Sequence, residues 1–243
     1  MTPVFNVAAI TRPLLLLHPI GQDAGCWRWL APDRPVTPVY PGHGGRPRRP
    51  GMTLDDLADE AVAAVSGEFD LLGVAMGGIV AQHLLLRHPD RVRSALIACA
   101  GGRTRPEVQL ARAEACEADG MEAVLGVTLD RWFTPAALAR ADHPGVAYAR
   151  TRLLAMDPAA MADAWRALSG HDLLDRLDQV RKPVTLVAGR DDAAVPEAVV
   201  EQLHARLAGS RLLVVPGPHM IHLEDGPGLR EALLDHLAWA ATS

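Results

Sequence analysis

Leu71-Leu72-Gly73-Val74-Ala75-Met76-Gly77-Gly78-Ile79-Val80-Ala81 runs from an apolar strand pattern, through a glycine-rich corner, into an apolar helix pattern. In the G-x-S-x-G pattern of a nucleophile elbow, position 75 would carry the serine that attacks a carbonyl. The glycines have a physical reason to be there. A strand that turns sharply into a helix forces its central residue into strained backbone geometry, and small neighbours at 73 and 77 let the helix come close. Ala75 can hold that corner, but its methyl group cannot attack. The stretch predicts an elbow whose nucleophile is missing.

Glycine-rich turns also occur in nucleotide-binding loops, so a second region has to decide. Val184-Thr185-Leu186-Val187-Ala188-Gly189 is a β-branched run followed by Arg190-Asp191-Asp192-Ala193-Ala194-Val195-Pro196, which predicts a buried strand ending in a turn that displays carboxylates. Arg211-Leu212-Leu213-Val214-Val215-Pro216 predicts another strand, and the Pro-Gly-Pro loop after it carries His219 ahead of the last helix. Nucleophile position, acid, then base is one of the chain orders in which a Ser-His-Asp constellation occurs.

The segments L-L-L-L-H-P-I-G (14–21), Y-P-G-H-G-G (40–45), G-V-A-M-G-G (73–78), A-G-R-D-D-A-A-V-P (188–196) and P-H-M-I-H-L-E-D (218–225) together resemble the α/β-hydrolase superfamily over nearly the whole chain. Asp130-Arg131-Trp132-Phe133-Thr134-Pro135 is most similar to the 3-oxoadipate enol-lactonase branch. The resemblance implies an α/β fold, a mostly parallel sheet covered by helices on both faces. His219 would be the base. The G-x-x-D register from Gly189 selects Asp192 as the acid that holds the imidazole, with Asp191 as a turn residue. The oxyanion donors would be the backbone N–H groups of Met76 and Ile20, since Pro19 has none to give. His43 would be part of a structural turn, and His18 a strand-end residue beside the site.

Strand patterns fall at about 4–10, 14–18, 36–40, 69–74, 94–99, 183–188 and 211–216. Between 102 and 175 no strand pattern occurs, and helical patterns follow one another through 107–118, 120–133, 143–156 and 158–168. This organisation predicts a core of residues 1–101 and 176–243 with a helical cap, 102–175, inserted between two strands. The N-terminal part is short for the superfamily.

In the lactonase branch the pair matching Arg131 and Trp132 is associated with the acid substrate, and a guanidinium suits a carboxylate through two parallel N–H bonds. The bland alternative is a solvated Arg and a core Trp. Phe133, Met156 and Trp165, with Met121, Leu125 and Met161, are expected between cap and sheet, or simply in the core. Arg150 and Arg152 read as surface residues.

The chain has 243 residues, 49% hydrophobic, and a formal net charge of −5, which implies a globular protein with ample core and no large nucleic-acid surface. No run has the length of a membrane span, and no leader pattern opens the chain. Cys26, Cys99 and Cys116 cannot all pair and have no metal-ligand spacing, which fits reduced thiols and a cytoplasmic location. His219 and His222 lack a third ligand in register, so neither metal nor cofactor is expected. Oligomeric state is not legible.

The expected activity is hydrolysis of a small ester or lactone, with a carboxylated enol-lactone as the branch candidate, in a form with serine at 75. A complete acid and base beside a missing nucleophile reads as an engineered serine-to-alanine change, leaving this form nearly inactive. The alternatives are a natural relative that uses His and Asp without a nucleophile or cleaves C–C bonds, and a ligand-binding pseudoenzyme.

Overall fold

The structure, a computed structural model, describes residues 12–30 and 35–242. Five strands form one parallel sheet in sequence order: β1 (Leu14–Leu17), β2 (Phe69–Val74), β3 (Val92–Ala98), β4 (Val184–Gly189) and β5 (Arg211–Val215). α1 (Leu54–Ala63) links β1 to β2, and α2 (Met76–Arg87) links β2 to β3. α3 (Pro106–Trp132), α4 (Pro135–Leu138), α5 (Pro144–Leu154) and α6 (Pro158–Ser169) fill the connection from β3 to β4. α7 (Glu197–Arg206) leads to β5, and α8 (Ile221–Glu224) and α9 (Gly226–Ala240) follow it.

β1, β2 and β4 are buried along their whole lengths, as near-continuous apolar runs covered on both faces require. The two faces are distinguished within β3. Ile97 lies against Gly78 of α2, whereas Ser94, three residues earlier and so on the opposite face, hydrogen-bonds His236 of α9.

The pattern at 36–40 does not form a strand. Only Val36 pairs, in an isolated bridge with Leu15, through Val36 N–H to the Leu14 carbonyl and Leu16 N–H to the Val36 carbonyl. Pro35, Pro38 and Pro41 have no N–H to give, and that removes the ladder. The pattern at 4–10 lies outside the described residues.

The two helices expected over 107–118 and 120–133 are both present as the two halves of α3, which meet at Gly120, whose φ of 79° and ψ of 172° break the helical path. The insertion leaves and returns at one place: Arg103 bridges Asp172, and the Leu173 N–H donates to the Gly102 carbonyl. Among the described residues no helix is long and apolar enough to cross a membrane.

Candidate active site

Ala75 stands between β2 and α2 at φ 52° and ψ −115°. A side chain held in such a sparsely populated region costs about 1–3 kcal/mol and persists only where its surroundings dictate it. Here they do. The Ala75 N–H donates to the Ala98 carbonyl at 2.9 Å, and a Cβ on Gly77 would fall 1.8 Å from the Leu17 carbonyl oxygen. A Cβ on Gly73 would fall 2.2 Å from the carbonyl oxygen of Gly77. The ends of β1 and β2 and the start of α2 therefore touch through backbone alone. Met76 opens α2, so its N–H has no partner within the helix.

The loop after β1 is fixed from below by His18. Its Nδ1–H donates to the Pro19 carbonyl at 2.8 Å, and its Nε2 accepts the Tyr40 N–H at 3.2 Å. Both bonds require the neutral ring, and burial together with His43 and His222 pushes its pKa well below the usual range. Pro19 C=O and Ile20 N–H belong to one planar trans peptide, so holding the carbonyl toward His18 turns the Ile20 N–H the other way. Gly21 follows at φ +71°, and a Cβ there would meet Leu153 and Trp132 of the insertion.

Of the two neighbouring aspartates, Asp192 meets the histidine: His219 Nδ1–H donates to its Oδ2 at 2.9 Å. Its Oδ1 accepts the N–H groups of Ala194 and Val195 at 2.8 and 2.7 Å, which locks the carboxylate. Asp191 is exposed and accepts the Gly217 N–H, a turn bond. With Nδ1 engaged, Nε2 is the ring nitrogen available to the cavity that His219 lines. His222 is fully buried, donates to Gln22 Oε1 at 2.9 Å, and has its pKa lowered to about 3 by burial. His43 is likewise buried, with its Nδ1 on the Pro41 carbonyl.

Cys99 Sγ lies with Asp192 and His219 in a cluster of ligand-type atoms within 4.8 Å. It is the one such group of three His, Cys, Asp or Glu side chains among the described residues. Burial and the Asp192 charge hold Cys99 as a thiol, and both Asp192 oxygens are already hydrogen-bonded, so the cluster as built is an orienting pair with a neutral neighbour.

A cavity of about 310 Å³ lies between these sheet ends and the insertion. Ile20, Ala75, Met76, Arg131, Trp132, Trp165 and His219 all line it. Phe133 and Met156 do not. Phe133 ends α3 and turns its ring edge to His143, with centroids 6.3 Å apart, and Met156 lies past the end of α5, in the core. Met121, Leu125 and Met161 are also core residues. Sequence reasoning missed Val108, Gln109 and Arg112, which line the cavity from the first half of α3. Arg105, Val108, Gln109 and Arg112 have the i, i+3, i+4, i+7 spacing of one helix face, a signal that was available. Arg150 is exposed, and Arg152 pairs with Asp23 at 3.0 Å.

The D-R-W-F-T-P stretch is tied to the His219 loop. The Trp132 carbonyl accepts the Met220 N–H at 3.0 Å, and Glu224 accepts both the N–H and the hydroxyl of Thr134. Base loop and insertion thus hold each other in register.

Residues 14–232 match the model of the alpha/beta hydrolase family, and the chain belongs to that family. It is 34% identical to a pimeloyl-[acyl-carrier protein] methyl ester esterase of Aromatoleum aromaticum, over 89% of this chain and 96% of that protein. A 3-oxoadipate enol-lactonase of Acinetobacter baylyi is more distant, 24% identical over 91% of this chain and 87% of its own. Among solved structures, a hydrolase from Pseudomonas aeruginosa superposes with a TM-score of 0.87 at 28% identity, covering 95% of this chain and 91% of the other. The chain is thus a member of a hydrolase family, with named esterases among its relatives. The lactonase branch suggested by D-R-W-F-T-P is not the nearer likeness.

Proposed function

We propose that this chain is built as a carboxylic-ester hydrolase whose form with serine at 75 cleaves a small ester or lactone, and that the Ala75 form binds such ligands with almost no turnover. The observation that carries this reading is the His219–Asp192 hydrogen bond at the rim of the same cavity into which the strained Ala75 corner opens. The intact acid and base support reading Ala75 as a replaced serine.

In the serine form, His219 Nε2 takes the hydroxyl proton as the oxygen adds to the ester carbonyl. The oxyanion lies between the N–H groups of Met76 and Ile20, each contributing about 3 kcal/mol. The protonated imidazole, oriented by Asp192, gives its proton to the departing alcohol. Water then repeats the sequence on the acyl-enzyme, freeing the acid and restoring the serine. Residues 102–175 act as a cap over a core of 1–101 and 176–243, and Arg131, Trp132 and Trp165 contact substrate. The likeness to the pimeloyl methyl ester esterase makes a methyl ester at the end of an acyl chain the first substrate class, ahead of enol-lactones. The three free, buried cysteines support a reducing, cytoplasmic setting.

The second reading, a natural ligand-binding protein, is favoured by Ala75 itself. The test is p-nitrophenyl acetate and a methyl ester series given to the Ala75→Ser protein. A folded Ala75→Ser protein with no gain over Ala75 overturns the esterase reading and leaves the binding one.

A further inference from the structure

Two buried histidines take no part in the chemistry above, and each is held as a metal-binding imidazole is held. His83, on α2, brings Nδ1 to 2.6 Å from Asp55 Oδ1 on α1. A carboxylate can only accept, so Nδ1 carries the proton and Nε2 is a bare lone pair. His171, just past the end of α6, brings Nε2 to 3.1 Å from the Gly101 carbonyl oxygen. That oxygen also only accepts, so the bare nitrogen of His171 is Nδ1. Both bare nitrogens are buried and have no hydrogen-bond partner among the described residues. A third acceptor belongs to the same neighbourhood. Gln82, the residue before His83, donates its Nε2–H to the same Gly101 carbonyl at 2.9 Å and leaves its Oε1 buried and unpartnered.

Buried acceptors are as a rule satisfied, and three without a donor around one carbonyl call for a ligand of positive character. The rings are spaced for one. Their centres are 5.6 Å apart with the planes at 42°, and two imidazoles on one tetrahedral ion, each nitrogen about 2.0–2.1 Å from it, put their ring centres about 5 Å apart. A ligating imidazole commonly passes its other N–H to a carboxylate or a backbone carbonyl, which fixes tautomer and ring orientation. His83 has the first kind of support and His171 the second. Burial lowers both pKa values, that of His171 to about 4, with Asp55 opposing it at His83, so both rings are neutral ligands at pH 7. Arg87, the cation beside this pair, is itself paired with Asp55 and Asp59. Two imidazole nitrogens and an amide oxygen suit a borderline ion such as Zn²⁺, whereas Mg²⁺ and Ca²⁺ take oxygen ligands.

We propose that His83 Nε2 and His171 Nδ1 bind one divalent ion of the zinc class, with Gln82 Oε1 as the adjoining oxygen, and that this ion ties α2 to the root of the insertion. The inference does not rest on the esterase reading. Gly101 and Gly102 lead into the insertion and His171 and Asp172 lead out of it, where Arg103 bridges Asp172 and the Leu173 N–H donates to the Gly102 carbonyl. Neither histidine lines the cavity beside Ala75, so the ion is structural and stands apart from the His219–Asp192 pair.

The test is calorimetric titration of the chelator-treated Ala75 protein with ZnCl₂ and, separately, MgCl₂. One Zn²⁺ per chain is expected to bind in the micromolar range or tighter, with no Mg²⁺ uptake. His83→Phe and His171→Phe, which keep a ring of similar size, should each weaken Zn²⁺ at least about tenfold, and Asp55→Asn, at the exposed end of the pair, by about 10-fold or more. Asp55→Asn keeps the test decisive if a buried replacement fails to fold. His88→Gln, at the end of α2, and Cys99→Ala should leave the affinity unchanged. Hydrogen exchange of the backbone at 101–104 and 171–173 should slow when Zn²⁺ is added and should not respond in the His83→Phe protein. No Zn²⁺ uptake by the folded Ala75 protein, uptake untouched by both His83→Phe and Asp55→Asn, or equal uptake of Mg²⁺ would each overturn the proposal. Loss of binding on Cys99→Ala with retention on His83→Phe would overturn it too, by placing the ion in the Asp192–His219 cluster.

Discussion

The two ends of the sheet carry the same residue types and do opposite things with them. At the C-terminal ends of β2, β3 and β4 stand Ala75, Cys99 and Asp192, with His219 supplied by the loop after β5. Near the N-terminal ends of the same strands stand Asp70, Ser94 and Thr185, with His236 supplied by α9. Ser94 donates to Asp70 Oδ1 at 2.5 Å, and an aspartate can only accept, so the serine oxygen must accept from His236 Nε2–H at 3.0 Å. His236 Nδ1 in turn accepts the Thr185 hydroxyl at 2.8 Å, and Arg93 closes the chain on Asp70. A serine, a histidine and an aspartate are thus in contact, but the proton order runs from histidine to serine to aspartate. A nucleophile needs the reverse, serine to histidine, with the other ring nitrogen donating to the acid, which is the direction that the His219–Asp192 bond imposes. The lower group is also sealed in the core, since Ser94, Thr185 and His236 have no exposed surface. Residue types do not make a site. The direction of the hydrogen bonds and a cavity beside them do.

If that contrast holds, the largest effect belongs to one atom at the upper end. Ala75→Ser should raise ester hydrolysis by roughly four to six orders of magnitude, the scale on which such nucleophiles matter, measured with p-nitrophenyl acetate and confirmed by an acyl-enzyme burst. An unchanged rate in the folded protein would place both ends of the sheet in the same structural category.

The next effects separate neighbours that the sequence alone leaves close. In the Ala75→Ser background, Asp192→Asn should lose about 10⁴ in kcat by disturbing the imidazole, and His219→Ala at least about 10³. Asp191→Asn and His222→Ala should each cost less than about tenfold. A larger loss at Asp191 or His222 would mean that the hydrogen bond between Asp192 and His219 is not the one that matters.

These comparisons also locate what a sequence can disclose. The elbow is legible because backbone geometry dictates it: Gly77 has to be glycine where its missing Cβ would meet the Leu17 carbonyl. Asp192 and the loop carrying His219 are picked out by resemblance to the superfamily. The strand pattern at 36–40 misleads because its β-branched residues have strand character while the prolines at 35, 38 and 41 lack the N–H groups a ladder needs. Over residues 102–175 the apolar pattern leaves Phe133 and Met156 open between cavity and core, and it carries no sign of Arg112. A helix face says which residues travel together, not what they travel toward. The break at Gly120, by contrast, is legible, since the helical patterns at 107–118 and 120–133 already part there. The Ser94–His236 contact is illegible, since its members are 142 residues apart.

A smaller effect tests the lower end directly. Ser94→Ala leaves Asp70 and His236 each short of one bond in the core, so it should lower unfolding stability by about 1–3 kcal/mol, read from urea denaturation. In the Ala75→Ser background the same change should leave kcat within about twofold. A large kinetic loss with intact stability would show that the lower network reaches the cavity.

The smallest and most specific effect is a slope. Burial lowers the His236 pKa to about 4, with Arg93 and Arg211 pushing in the same direction and Asp235 opposing them. In the unfolded chain the ring titrates near 6.5, so between about pH 6.5 and 4 the unfolded state binds a proton that the folded state refuses. Stability from the neutral ring is complete above that window and falls as pH falls through it, by up to about 1.4 kcal/mol per pH unit. A glutamine at this position can donate an amide N–H to Ser94 and accept from Thr185, as the neutral imidazole does, but it cannot titrate. His236→Gln should therefore shift stability by a constant amount above pH 6.5 and lose less of it on acidification, so that the two stability curves converge toward pH 4. His43, His171 and His222 are also held neutral by burial and contribute the same slope to both proteins, which leaves the difference to His236 alone. Urea unfolding at pH 7, 6 and 5 reads that difference. Parallel curves would mean that His236 is already protonated in the folded protein, donating from both nitrogens, and that the proton order assigned to the lower network is wrong.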